Sequence, residues 1–85
     1  MKKIKCDNIN YRKGFVEVAS NIHKGFINVE TWTIDPDFNI EKFKFGDDIL
    51  PDGTVTGITE IELSRENAME LVKLLQEELL KLERN

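Results

Sequence analysis

One cysteine, one histidine, two prolines and five glycines are present among the 85 residues. With Cys6 alone, an internal disulfide is excluded. With His23 as the single histidine, a closed Cys/His zinc site lacks its ligands. The glycines are scattered, so no loop cradles a phosphate, and no dinucleotide fingerprint or nucleophilic-serine motif occurs. No apolar run approaches the roughly 20 residues of a membrane helix. The start, Met1-Lys2-Lys3-Ile4-Lys5, has no apolar segment behind its charges and does not read as a secretory signal. These absences lead to the expectation of a cytoplasmic, non-enzymatic single domain over residues 1–85. No cofactor, no bound metal and no membrane partner is expected. A chain this short has a large surface for its volume and no covalent staple, so close packing or association must supply its stability.

The net charge of -4 conceals an asymmetry. Residues 1–30 hold six basic groups (Lys2, Lys3, Lys5, Arg12, Lys13, Lys24) and three acidic ones. The remainder holds six basic and thirteen acidic groups. An acidic surface repels phosphate backbones, which disfavours direct nucleic-acid binding and suits a protein partner with a basic surface.

Turn residues divide the first two thirds of the chain. Arg12-Lys13-Gly14, His23-Lys24-Gly25 and Pro51-Asp52-Gly53 separate apolar or alternating segments, and Asp35-Pro36-Asp37 marks another break. The segments between them read as strands over Lys2–Tyr11, Phe15–Ile22, Phe26–Ile34, Phe38–Phe45 and Thr54–Leu63. Asp7-Asn8 is a candidate bulge, because Ile4 and Cys6 differ in parity from Ile9 and Tyr11. Short connections favour an antiparallel meander of four to five strands. The middle hairpin admits two registers, with Val18 opposite Glu30 or opposite Thr31. A slip of one residue exchanges every face. Either register leaves bulky apolar groups on both sides of the hairpin.

The last third reads as one helix from about Arg65 to about Glu83. Ser64 is placed to cap its first turn, Glu66 suits the positive end of the helix dipole, and Lys81 and Arg84 suit the negative end. Ala68, Leu71, Val72, Leu75, Leu79 and Leu82 share one stripe. The fold class expected is therefore α+β, a meander sheet with this helix packed on one face. Leu71, Leu75, Leu79, Ile61 and Leu63 are the expected core. Met69, Leu74 and Leu80 fall outside the stripe and make the apolar arc wider than one sheet needs. Either sheet curvature and the Asp47–Asp52 loop wrap these flanks, or a partner does, most simply a second copy in a homodimer.

Few constellations carry chemistry. Asp35, Asp37, Asn39 and Glu41 resemble the opening of a calcium loop, but Ile40 and Gly46 stand where the loop needs Gly and Glu. They read as a polar turn. His23 reads as an exposed turn residue and Cys6 as a small buried side chain. Trp32 reads first as core and second as a binding anchor. The candidate partner contacts are Trp32, Asp47, Asp48 and Asp52 in a loop, and Glu60 and Glu62 on the last strand. Met69, Leu74 and Leu80 are the candidates for self-association.

In size, acidity and sheet-plus-helix plan the chain is similar in type to small phage-encoded inhibitors of bacterial defence systems, anti-CRISPR proteins among them. The likeness is one of plan and carries no motif. It implies a protein-binding inhibitor acting in a host cytoplasm on a basic nuclease or defence protein. The competing expectations are a structural homodimer, and a nucleic-acid binder using Lys2, Lys3, Lys5, Arg12 and Lys13.

Overall fold

A computed structural model describes residues 2–84, with the Lys2 side chain outside the description. Four strands, β1 (Lys2–Cys6), β2 (Gly14–Ala19), β3 (Ile27–Ile34) and β4 (Val55–Leu63), form one antiparallel sheet in chain order. One helix, α1 (Arg65–Arg84), follows. The chain is thus α+β, a four-stranded meander ending in a helix.

The span Phe38–Phe45 is not a fifth strand. It holds a single 3₁₀ turn at Ile40–Lys42. Asp35 begins this departure, since its carboxylate accepts from the Asp37 N–H at 2.9 Å and its carbonyl from the Phe38 N–H at 3.0 Å. Phe38, Ile40, Phe43 and Phe45 then all turn to one side, which alternation along a strand forbids. The first strand ends at Cys6, so Asp7-Asn8 lies in a loop rather than a bulge. Gly25 and Gly53 occupy turns with positive φ, whereas Gly14 lies inside β2.

The middle hairpin takes neither expected register. Val18 faces Val29 and Ala19 faces Asn28, with the wider loop 20–26 between the strands. This alignment pairs Phe15 with Trp32 and valine with valine, and cross-strand apolar pairs are what stabilise a sheet. It also sets Glu17 opposite Glu30. Lys3 lies 3.9 Å from the Glu17 carboxylate, and the Trp32 indole N–H donates to Glu30 at 3.0 Å, which relieves the like charges.

The register assigns the two faces. One carries Phe15, Glu17, Ala19, Asn28, Glu30, Trp32 and Ile34, and the segment between β3 and β4 folds over part of it. There Phe15, Ile34, Ile40 and Phe43 are buried, packed against Trp32, Phe38, Phe45 and Leu50. Phe15 stacks on Trp32 at 5.3 Å between centroids and meets Phe45 edge-on at 4.9 Å. Phe43 meets Phe45 and Phe38 edge-on at 5.3 and 6.0 Å. This aromatic cluster is the core.

The helix is not packed on the sheet. Ser64 caps it as expected, accepting from the Asn67 N–H at 3.1 Å, yet no residue of α1 is buried and Ala68 alone is half-buried. Leu75 is 56% exposed and Leu79 57%; Ile61, expected inside, is 62% exposed, and Leu63 is half-buried. The physical reason is the connection. Ser64 is the only residue between β4 and α1. Packed layers lie about 10 Å apart, while the two Cα steps from Leu63 to Arg65 span at most about 7 Å. A helix starting one residue after the strand has no chain with which to climb over its own sheet and turn back.

Candidate interaction surface

Two apolar surfaces are left without a cover. The first is the second sheet face, formed by Ile4, Val16, Val18, Ile27, Val29, Ile61 and Leu63. Ile4, Val18 and Ile61 are exposed and the others half-buried. Threonines continue it. The Thr31 and Thr59 hydroxyls hydrogen-bond across strands, and Thr56 donates to Thr33 at 3.0 Å. At one end Cys6, Gly14, Val16, Thr31 and Thr33 open into a groove of about 470 Å³ rimmed by Tyr11 and Arg12. The Arg12 guanidinium lies 5.7 Å from the Tyr11 ring.

The second surface is α1. Met69, Leu71, Val72, Leu74, Leu75, Leu79, Leu80 and Leu82 are all exposed. The first turns approach the sheet end, where Arg65, Ala68, Met69 and Val72 line a hollow of about 590 Å³ with Ser20, Gly25, Phe26 and Ile27. Patches of this size on one small domain mark contact surfaces rather than ordinary scattered exposure.

The acidic candidates do not converge. Asp47, Asp48 and Asp52 are exposed in the β3–β4 segment. The Asp48 carboxylate accepts from the Lys44 N–H at 2.7 Å and so shapes its own turn. Asp48 shares a groove of about 370 Å³ with Trp32, Glu17, Lys3 and Leu50; Asp47 and Asp52 do not line it. Trp32 is half-buried, held by Phe15 and Glu30. Glu60 sits at the register position opposite Glu30, and Glu62 contacts His23. Ile49, beside Asp48 in the same segment, is 92% exposed.

Of the basic candidates, Lys3, Lys5 and Lys13 make contacts within the fold, and the Lys2 side chain lies outside the described residues. Lys5 donates to the carbonyls of Glu41 and Phe43, at 3.2 Å for the former, and Lys13 to that of Pro36 at 3.0 Å. Lys3 lies over the Phe45 ring at 4.9 Å as well as near Glu17. They tie the edge strand and its loop to the aromatic cover. Cys6 is exposed, contrary to the expectation of burial, and contacts the Ile4 carbonyl. His23 is exposed as expected, and its partner is Glu62. No group of three or more His, Cys, Asp or Glu is placed to hold a metal ion among the described residues, and none of their helices is long and apolar enough to cross a membrane.

Comparison of the chain with protein-family models, with curated proteins and with solved structures returns no match.

Proposed function

We propose that this chain is a non-enzymatic protein-binding module whose contact surface is the uncovered apolar side of α1 together with the open sheet face. The observation that carries the reading is a helix of 20 residues with none of them buried. Helices in proteins draw most of their stability from packing an apolar face rather than from intrinsic propensity. A helix with leucine at 71, 74, 75, 79, 80 and 82 has a reason to exist when something covers it. Acidity contributes a field rather than a site. Asp47, Asp48, Asp52, Glu60 and Glu62 lie in separate places and favour encounter with a basic partner without forming one socket. An inhibitor of a basic nuclease is the form this module takes if the partner is foreign.

The test is association by the wild type against Leu75→Glu with Leu79→Glu, read by light scattering and by affinity capture from lysate. The wild type should bind a protein, either its own copy or a foreign one, and the double variant should lose at least tenfold in affinity. Trp32 fluorescence, which reports the aromatic cluster, should be the same in both. Association that the double variant retains, or none by the wild type, contradicts the proposal.

A further inference from the structure

We infer that the occupant of both uncovered surfaces is a second copy of this chain, with each α1 lying across the open sheet face of its partner. This rests on the reading of α1 as a contact surface and adds the partner and the geometry. Three observations support it. First, the chain holds both halves of one missing layer contact. There is an apolar helix without a sheet and an apolar sheet face (Ile4, Val16, Val18, Val29, Ile61) without a helix. Second, Ser64 alone joins β4 to α1. So short a connection keeps the helix from its own sheet but leaves it free to reach another, and short hinges are what favour exchange of an element between protomers.

Third, the area is sufficient. A 20-residue helix is about 30 Å long and about 10 Å across, a footprint on the order of 300 Å². A twofold exchange makes this contact twice and covers both sides of each. The total is on the order of 1,200 Å², at the lower bound of stable interfaces. The flanks add to it. With 100° per residue, the apolar arc from Leu74 through Leu75 and Leu79 to Leu80 spans about 240°, where one sheet needs about 100°. A helix held between a partner sheet and its twofold-related helix uses such an arc in full, which gives Met69, Leu74 and Leu80 their role.

The experiment uses two populations of full-length chain, both carrying Cys6→Ser. One bears Val18→Cys and an affinity tag. The other bears Leu71→Cys, Leu75→Cys or Leu79→Cys in turn. They are mixed and joined by a bismaleimide of about 10 Å reach. Trp32 fluorescence checks that each variant keeps its aromatic cluster. The proposal predicts a wild-type mass near 20 kDa in solution, twice the 9.9 kDa of one chain. It also predicts tagged heterologous links from at least one helix position, lost when the tagged chain also carries Ile61→Glu. A dimer that links helix to helix and never helix to sheet overturns the exchange while leaving the protein-binding reading intact. A 9.9 kDa monomer that still captures a foreign protein through α1 does the same. A monomer in which Val18→Cys and Leu75→Cys link within one chain, and which captures nothing, overturns both.

Discussion

Phe15 and Leu75 are bulky apolar residues of one small chain, and they meet opposite fates. Phe15 is 4% exposed, roofed by a segment whose pattern reads as a strand but which folds as an irregular cover; Leu75 lies on the most regular element of the molecule and is 56% exposed. The difference is one of connection length. The β3–β4 segment has twenty residues between Ile34 and Val55, enough to fold over the sheet and deliver Phe38, Ile40, Phe43 and Phe45 to it. The helix has only Ser64. Burial here follows the chain available to reach a surface, and strength of amphipathic pattern does not substitute for it.

The sharpest way to break the comparison is truncation in each region. Phe15→Ala should cost about 3–5 kcal/mol, as large-to-small changes of buried aromatics do, and the loss should be the same at every protein concentration. Leu75→Ala should leave the melting of a dilute sample nearly unchanged and act only where chains associate. Equal, concentration-independent losses from both would erase the distinction between the two regions.

Next in size is Gly14→Ala. Gly14 lies beside the core, and a Cβ there would sit 1.8 Å from the Trp32 carbonyl oxygen. The strands must move apart, so a loss of about 1–3 kcal/mol is expected from overpacking, with altered Trp32 fluorescence. Gly25→Ala meets nothing within 4 Å and suffers only its positive φ, a cost of about 1–2 kcal/mol; its fluorescence should stay that of the wild type. A silent Gly14→Ala in chemical melts would contradict the β2–β3 register.

A smaller effect comes from Ser64→Ala. It removes the acceptor for the Asn67 N–H and should cost the helix about 1 kcal/mol. The expected readout is reduced far-UV helical signal in dilute samples with the aromatic cluster intact. Loss of the cluster along with the helix would show that the two regions are one cooperative unit.

The sequence announces the last two elements well, whereas β1 and β2 end five and three residues short of their expected bounds. Ser64, the 3.6-residue spacing from Ala68 to Leu82 and the Pro51-Asp52-Gly53 turn place the helix and the start of β4 within a residue or two. The core was misplaced because periodicity tells which side of a helix is apolar and says nothing of whether the chain can bring that side to a surface. Phe38 and Ile40 differ in parity from Phe43 and Phe45, a mismatch with strand alternation that the sequence already carries; the 3₁₀ turn at Ile40–Lys42 brings all four to one side. The hairpin register depended on loop length, which the glycine at 25 suggested to be shorter than it is. Of the candidate site, Met69, Leu74 and Leu80 were legible as excess apolar groups and are exposed. The open sheet face was visible only as a hairpin apolar on both sides, since naming its residues requires the register.

Amide hydrogen exchange at two protein concentrations tests the central claim, that the aromatic cluster is complete within one chain and the helix is not. The account predicts that the amides of Phe15 and Ile34 exchange at one slow rate at both concentrations. Those of Leu71 through Leu82 should exchange quickly in dilute solution, as amides of a helix with few buried contacts do, and slow by at least tenfold when the chain is concentrated. Helix amides as slow as those of the cluster at high dilution would contradict it.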